Sequence, residues 1–347
     1  MATIKKIAEK AGVSIGTVDR VIHNRGYVSE DAEIRVKKAI KKLNYTPNIF
    51  ARQLKLSKTF NFGVLMPEFS QDCGYWQMPG NGIQKAQKEL ESHRIKVRYY
   101  HYDRYSPMSF ARACEEVLSV DLDGLLMAPA ISSIAQEFVV KLPENLPYVY
   151  FDSTVPETNC LSSIVQDSFL SGQLAGRLMQ LLCYNPGKIA VIRILPEDFH
   201  IDERVKGFQN FFARHSQFQL SQYDTYCHGK EDEFSQLMKK IIDENKDLKG
   251  IFISNALTYY VANVLNEKKI QRKIFVIGYD LLDQNIQYLK NGLIDFLINQ
   301  QSEQQGYQGI YTLFRRIVLN ETVPEKIMMP IDIITKENVD YYTMKVK

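Results

Sequence analysis

Two short amphipathic segments separated by one glycine open the chain, and they constrain its fold more than any other feature. Apolar residues recur at helical spacing in the first segment: Ile4, Ile7, Ala8 and Ala11. Gly12 ends this helix, because glycine enters the left-handed region without steric cost. Ser14 can cap a second helix. The apolar stripe of that helix is formed by Val18, Val21 and Ile22. This pattern predicts a helix-turn-helix, whose second helix enters the DNA major groove.

The segment that follows makes the pattern more specific. A third helix is predicted from about Glu30 to Leu43, and apolar residues on one face of it should point inward: Val36, Ala39, Ile40 and Leu43. Four motifs occur in order: Ala11-Gly-Val-Ser14, Thr17-Val-x-Arg-Val21, Val28-Ser29 and Tyr45-x-Pro-Asn-x-x-Ala-Arg-x-Leu54. Their order and spacing resemble the lac-repressor (LacI/GalR) family of bacterial transcription regulators.

The resemblance implies an all-α helix-turn-helix domain over residues 1–46 and a hinge helix over residues 47–58. It also implies which residues touch DNA: Thr3, Ser14, Ile15, Gly16, Thr17, Arg20, Tyr27, Asn48, Ala51, Arg52 and Leu54. Arg20 is the expected base reader, because its guanidinium can bond guanine O6 and N7 together. Leu54 is expected to insert into the minor groove and kink the DNA. Asp19 departs from the family, which mostly has Ser there, and it either pairs with Arg20 or pairs with Arg25.

Charge is distributed unevenly between the front of the chain and the rest. Residues 1–58 contain 13 Lys and Arg against 5 Asp and Glu, whereas the remainder contains 30 against 35. A basic head on a mildly acidic body is typical of a head that binds nucleic acid. Charge alone would equally fit a solvated basic face, and the motifs favour double-stranded operator DNA as the partner.

Length and composition limit the class of protein. A chain of 347 residues, 45% hydrophobic and 24% charged, suits two or three globular domains. It has no apolar run long enough for a membrane span, and its start lacks the apolar core of a signal peptide, so we expect a cytoplasmic protein. Five scattered cysteines lack metal-ligand spacing, which predicts free thiols and no metal site. No cofactor is expected.

From Phe60 onward, strand and helix patterns alternate, which predicts parallel sheets covered by helices on both faces. Nine strands are expected, among them Tyr148–Phe151 and Phe296–Asn299. The resemblance implies a two-lobed periplasmic-binding-protein-like α/β domain (type I) over residues 59–347. One lobe would hold about 60–158 with 300–325, and the other about 160–299 with 326–343. The chain would cross between them near 158–161, 299–302 and 325–330.

Ligands of such open sheets bind beyond the carboxyl ends of the strands. The resemblance points to seven residues there: Tyr75, Trp76, Asp152, Arg204, Asn255, Asp280 and Gln300. Trp76, the only tryptophan, is expected to present a flat face to a sugar. Each residue would alone fit a turn or helix cap, whereas together they predict one cleft. Ala256 follows Asn255 where the family usually has Asp.

An enzyme is the alternative class, and Asp152 with Asp280 could form a glycosidase pair. No P-loop, zinc-protease or hydrolase motif occurs, and the histidines lack partners at useful spacing. We therefore expect no catalytic residue and read the chain as a homodimeric regulator. Its operator affinity would be controlled by a small molecule, most simply a carbohydrate. A purine, a polyol or a sugar phosphate remains the alternative effector.

Overall fold

The computed structural model describes residues 4–23, 26–43, 58–196, 198–270 and 273–343. The expectations for Thr3, Asn48, Ala51, Arg52 and Leu54, and for the hinge helix, lie outside these residues. The chain forms two compact units that divide between Lys58 and Thr59. Each unit is described separately below.

The first unit contains the three predicted helices, α1 (Ile4–Ala11), α2 (Ile15–His23) and α3 (Glu30–Lys42). Their shared core is made of short apolar side chains: Ile7, Ala8, Ala11, Val18, Val36 and Ala39. Gly12 has a φ of +64°, so the turn between α1 and α2 uses the left-handed conformation that glycine adopts without strain. The predicted helix-turn-helix is confirmed.

The second unit contains two six-stranded sheets, which form two lobes. The sheet of the first lobe has the order β2-β1-β3-β4-β5-β11, and all its neighbouring strands are parallel. These strands are β1 (Phe60–Pro67), β2 (Ile95–Tyr102), β3 (Gly124–Met127), β4 (Tyr148–Phe151), β5 (Ser162–Gln166) and β11 (Lys326–Met329). Its helices are α4 (Gln77–Glu89), α5 (Pro107–Leu118), α6 (Ser132–Lys141) and α12 (Ser302–Leu313), which continues as one π-turn at Phe314–Val318.

The sheet of the second lobe has the order β7-β6-β8-β9-β10-β12. Its strands are β6 (Lys188–Ile194), β7 (Gln219–Thr225), β8 (Leu248–Ile253), β9 (Phe275–Tyr279), β10 (Phe296–Asn299) and β12 (Asp332–Ile334). Its helices are α7 (Ser168–Leu182), α8 (Phe199–Phe212), α9 (Glu231–Glu244), α10 (Thr258–Lys268), α11 (Asp283–Lys290) and α13 (Val339–Thr343). Only β12 among these strands runs antiparallel to its neighbour, so the expectation of parallel sheets holds for every pairing but one.

All nine predicted strands are present. Most of them are buried on both faces and read as apolar runs, whereas the edge strands β2 and β7 contain polar residues and are less buried. The predicted lobe boundaries need correction. Residues 162–166 and 326–329 were expected in the second lobe, yet β5 pairs with β4 and β11 pairs with β5 in the first sheet. The chain therefore crosses after Gln166, between Asn299 and Ser302, and after Met329. The sequence Ser162-Ser-Ile-Val-Gln166 is too short and polar to signal a strand by itself.

Within the described residues, none of the helices is long and apolar enough to cross a membrane.

Candidate functional site

The helix-turn-helix presents the start of α2 to solvent. Ser14 Oγ accepts a hydrogen bond from the Thr17 backbone N–H at 3.1 Å and lies 2.9 Å from the Thr17 hydroxyl. Ser14 therefore caps α2, as the sequence predicts. Gly16 and Arg20 are exposed, and Ile15 and Tyr27 are 54% and 89% exposed. An exposed isoleucine beside an exposed arginine suits apolar contact with a thymine methyl and hydrogen bonding to guanine.

All seven predicted cleft residues line one cavity in the second unit. The others that line it are Asp72, Arg104, His200, Ile201 and Ala256. The seven come from both lobes and from the crossover at Gln300, and each is buried. The carboxyl ends of parallel strands meet at one edge of a sheet, which explains why residues so distant in sequence converge.

Gln300 is the centre of a hydrogen-bond network across this cavity. Its Nε2 donates to the Tyr75 hydroxyl at 2.9 Å and to both carboxylate oxygens of Asp280 at 3.1 Å. Its Oε1 accepts from Arg204 Nη2 at 2.9 Å. Ser302 Oγ donates to the Tyr75 hydroxyl at 2.9 Å. The side chains therefore bond mainly to one another, although Arg204 Nε has no partner among the residues that the structure describes. About 20 Å³ of the cavity is left open.

Arg204 is held rigidly from two sides. Its guanidinium carbon lies 3.8 Å from the centre of the Tyr279 ring, and Nη1 donates to the Ser254 carbonyl at 3.1 Å. Helices α7 and α8 cross very closely here, since a Cβ at Gly172 would lie 2.0 Å from the Arg204 carbonyl oxygen. The glycine therefore permits the crossing that places Arg204 in the cleft.

The carboxyl group of Asp280 has an unusually high pKa. Burial raises the pKa of Asp280 to about 7, although the nearby Arg204 guanidinium and the Gln300 hydrogen bonds favour the charged form. Asp280 can therefore accept or donate a hydrogen bond near neutral pH. Such a shift is typical of a binding or catalytic site.

Tyr75 and Asp152 pair directly through a short hydrogen bond that the tyrosine hydroxyl donates. The Asp152 backbone N–H donates to Gln305 Oε1 at 2.7 Å, which fixes the carboxylate at the end of β4. Burial, with the charges of Asp152 and Asp280, holds the pKa of Tyr75 well above its usual value. Tyr75 is thus a neutral hydroxyl donor in this cleft.

A buried ion pair that the sequence did not reveal adjoins the seven residues. Arg104 Nη1 donates to Asp72 Oδ2 at 2.7 Å, and Tyr105 donates to the other oxygen. Burial raises the pKa of Asp72, but Arg104 and the hydrogen bonds from Tyr105 and Trp76 outweigh it, so the net shift is downward. Both residues follow neighbouring parallel strands, β1 and β2, and that position was the available signal.

Trp76 lines the cavity but differs from the expected stacking surface. It directly precedes α4 and is 1% exposed. Its indole Nε1 donates to Asp72 Oδ2 at 2.8 Å, and its ring packs edge-on against Tyr75 and Phe151. The hydrogen bond explains this burial, because a buried indole N–H needs an acceptor. Trp76 therefore holds Asp72 and Tyr75 in position, with no indole face open to water.

Asn255 also has a local role. Its Oδ1 accepts from the Leu257 backbone N–H at 3.1 Å, which forms the turn leading into α10. The turn interpretation and the cavity position are both correct for this residue, since it also lines the cavity.

One group of side chains has the composition of a metal site. Asp152, Asp198 and His200 offer ligand atoms within 4.8 Å of one another. However, His200 Nδ1 is paired with Asp198 Oδ1 at 2.7 Å, and Arg104 Nη2 lies 3.8 Å from Asp198 Oδ2. A guanidinium beside the carboxylate opposes a second cation. Burial by itself would raise the pKa of Asp198, but the nearby His200 and Arg104 together have the larger effect, so the net shift of the pKa is downward. The carboxylate therefore stays charged as their partner.

Part of the backbone strain lies at the cleft. Three residues that line the cavity have positive φ, Asp72 (50°), Asp152 (69°) and Asp280 (66°), and so do two residues next to lining positions, Cys73 (56°) and Gln301 (54°). Four others, Arg94, Glu157, Lys269 and Asn320, lie elsewhere. Such conformations are costly and persist where the surrounding structure imposes them, often at ligand sites. The strain turns Asp152 and Asp280 out of their strands and into the cavity.

The fold and this cleft define a class: a helix-turn-helix joined to a two-lobed periplasmic-binding-protein-like domain. Residues 62–320 match the family model described as a periplasmic binding protein domain. Residues 3–48 match the model of bacterial regulatory proteins of the lacI family.

Known proteins extend this result to the whole chain. The ribose operon repressor of Lactococcus lactis is 24% identical over 343 residues, covering 98% of both chains. The sucrose operon repressor of Streptococcus mutans is 27% identical, covering 98% of this chain and all of the other. A solved structure described as a LacI transcriptional regulator from Bacteroides fragilis is 30% identical, covers 82% of this chain and all of that one, and has a TM-score of 0.77. The chain belongs to the lacI family of bacterial regulatory proteins. It is a DNA-binding transcription regulator controlled by a ligand, which confirms the predicted family, fold and general function.

Proposed function

We propose that this protein is a homodimeric repressor whose effector is a carbohydrate bound between the lobes by the seven cleft residues. The observation that carries the proposal is the network of Arg204, Gln300, Asp280 and Tyr75. It alternates donors and acceptors across a buried space, as neighbouring sugar hydroxyls require. Relatives named for ribose and sucrose operons support a carbohydrate.

Charge favours a neutral effector over a sugar phosphate. Asp72, Asp152 and Asp280 line the cavity, and Asp198 pairs with His200, which also lines it. The two guanidiniums are already engaged: Arg104 pairs with Asp72, and Arg204 bonds Gln300. A phosphate would add negative charge among these carboxylates, which is unfavourable in a buried site. A neutral polyol remains compatible with the same groups.

Ligand entry requires the lobes to separate. A pocket for a small molecule commonly has a volume of about 300–1,000 Å³, whereas the closed cavity leaves 20 Å³. An effector would therefore replace contacts such as Gln300 to Tyr75 with its own hydroxyls and select a different angle between the lobes. Through residues 47–58 this angle would alter operator affinity, and two copies of the head would read two half-sites. Acting on DNA, the regulator would work in the cytoplasm.

Head residues Ser14, Ile15, Gly16, Thr17, Arg20 and Tyr27 are proposed to contact the operator, together with Thr3, Asn48, Ala51, Arg52 and Leu54. Ser14, Thr17 and Tyr27 would hold phosphates, whereas Arg20 would read a base. The exposure of Ile15, Arg20 and Tyr27 supports this proposal.

The decisive experiment compares ligand response and operator binding in the same chain. A thermal-shift screen with sugars, polyols and nucleobases identifies the effector, because a ligand of the folded state raises the unfolding temperature. Arg204→Ala should then weaken effector affinity by about tenfold to a hundredfold, since a charge-assisted hydrogen bond contributes roughly 1.5–3 kcal/mol. Operator binding without effector should persist.

Lys206→Ala is the matched control, because Lys206 lies on the same helix and pairs with Glu203 on the surface. A full response by Arg204→Ala would remove the cleft assignment. Incubation with the effector should give no product, and turnover would instead support the glycosidase alternative.

A further inference from the structure

A second pocket opens beside the cleft, along the line where the chain crosses between the lobes. Its volume is about 170 Å³, compared with 20 Å³ for the main cavity. Asp152 and His200 line both cavities, so the two cavities are adjacent and share these side chains as walls. At about 30 Å³ per water molecule, the second pocket holds roughly five or six waters, the scale of one sugar ring.

Gln166, one of the residues that line the pocket, has a buried acceptor without a donor. Gln166, at the end of β5, is 4% exposed. Its Nε2 donates to the carbonyls of Asn299 at 3.2 Å and Pro330 at 2.8 Å, which fixes the amide in one orientation. Among the residues that the structure describes, none donates a hydrogen bond to its Oε1. A buried acceptor left unpaired is unfavourable by roughly 1–3 kcal/mol. Because this oxygen is fully buried, a ligand hydroxyl could reach it only when the lobes move apart.

Two partly exposed aromatic rings line the same pocket. Phe169 is the second residue of α7, and Phe199 is the first residue of α8. The two helices are locked together here, because a Cβ at Gly207 would lie 2.0 Å from the Phe169 carbonyl oxygen. Rings presented by fixed helix ends provide the flat apolar surface that Trp76 does not offer. Sugar rings pack their C–H faces on such surfaces.

The remaining lining fits a neutral ligand. Ser153, Thr154 and Ser168 contribute hydroxyl groups, while Glu203 and Lys326 carry opposite charges. Asp167 caps α7 by accepting from the Leu170 backbone N–H at 2.9 Å, and Asp198 caps α8. These aspartates occupy the two helix N-termini, which would otherwise attract an anion.

We propose that this pocket is a second sugar subsite, so that the effector is a disaccharide or a glycoside that spans Asp152 and His200. This inference rests on the proposed carbohydrate effector and specifies its size. The first unit of the ligand occupies the opened cleft, and the second lies between Phe169 and Phe199 with a hydroxyl directed at Gln166 Oε1. Thr154 and Gln166 belong to the first lobe, whereas both phenylalanines belong to the second. The second unit therefore contacts both lobes at the crossover and senses the angle between them.

The test uses calorimetric titration of the full-length chain with matched sugars. Glucose is compared with maltose and cellobiose, mannose with mannobiose, and xylose with xylobiose. The affinity of one disaccharide should be at least about tenfold higher than that of its monosaccharide, because the second ring adds buried contacts. Phe169→Ala should lower the affinity of that disaccharide about tenfold, with the affinity of the monosaccharide unchanged.

Two further variants make the result specific. Leu170→Ala, the adjacent and exposed position outside the pocket, should change neither affinity. Phe169→Trp fills part of the pocket and should weaken the disaccharide alone. If monosaccharides bind as tightly as disaccharides and Phe169→Ala has no effect, the second subsite is wrong and the carbohydrate effector stands. If neither these sugars nor any sugar of the thermal-shift screen binds a chain that binds operator DNA, the carbohydrate effector fails, and the subsite with it.

Discussion

Gln300 donates through Nε2 to the Tyr75 hydroxyl at 2.9 Å, and this contact joins the crossover after β10 to the first lobe. The same nitrogen reaches Asp280 of the second lobe at 3.1 Å. One amide therefore connects three parts of the chain, and under the proposed mechanism these parts move apart when the cleft opens. Its replacement by ligand hydroxyls is the structural event through which binding would be transmitted to the head.

Operator binding should depend steeply on salt, because the basic head displaces counterions from phosphates. Each neutralised phosphate contributes roughly −0.9 to the slope of log affinity against log salt, so a dimer should reach about −6 or steeper. Fluorescence anisotropy over a tenfold range of salt measures the slope. A slope near zero would contradict the assigned DNA surface.

Arg20→Ala should relax recognition of one base pair in each half-site, with a loss of about 1–3 kcal/mol, if its guanidinium reads guanine. Operators selected in vitro by the wild-type and variant chains reveal the affected position. Lys42→Ala is the control, since Lys42 is an exposed cation at the end of α3. Equal losses on operator and random DNA would make Arg20 a phosphate contact instead.

Asp280 should make stability fall as pH rises. The folded chain holds a proton on Asp280 up to a pKa of about 7, whereas the unfolded chain loses it near 3.8. Between these values the folded state binds more protons, so its free energy of unfolding decreases with rising pH. Asp280→Asn removes this effect and suits the backbone, because asparagine tolerates the observed φ of 66°.

Urea unfolding at pH values between about 5 and 8 tests the Asp280 assignment. The advantage of Asp280→Asn over wild type should grow by about 1–3 kcal/mol across this range. Asp283→Asn, an exposed position on α11, serves as the control. A constant difference would mean that Asp280 ionises normally.

Asp72→Ala should destabilise the first lobe strongly, because it leaves the buried Arg104 guanidinium without its carboxylate. Removing one partner of a buried ion pair typically lowers the free energy of unfolding by about 3–5 kcal/mol. Trp76 reports the change directly, since its indole Nε1 also loses its acceptor. Adding Arg104→Met to Asp72→Ala should restore part of the stability, and a double variant as unstable as the single one would argue against the pair.

Much of the candidate site could be predicted because strand ends are visible in the sequence. Asp152 and Asp280 each follow an apolar run, and parallel strands bring such positions to one edge. Asp72 and Arg104 occupy equivalent positions but lie in polar segments whose partners are not adjacent in the chain. The burial of Trp76 was unpredictable for the same reason, since its acceptor Asp72 is recognisable only in three dimensions.

The sequence by itself determined the three-helix head and the nine predicted strands, which depend on local spacing, helix capping and runs of apolar residues read from neighbouring positions. The seven cleft residues were indicated by the resemblance to the family, whose motifs the sequence also carries. Only the tertiary structure decided that β5 and β11 join the first sheet, that Arg104 neutralises Asp72 and that Gln166 faces a second pocket. Strand pairing and the desolvation of charges depend on contacts between residues far apart in the chain, and local pattern does not encode those contacts.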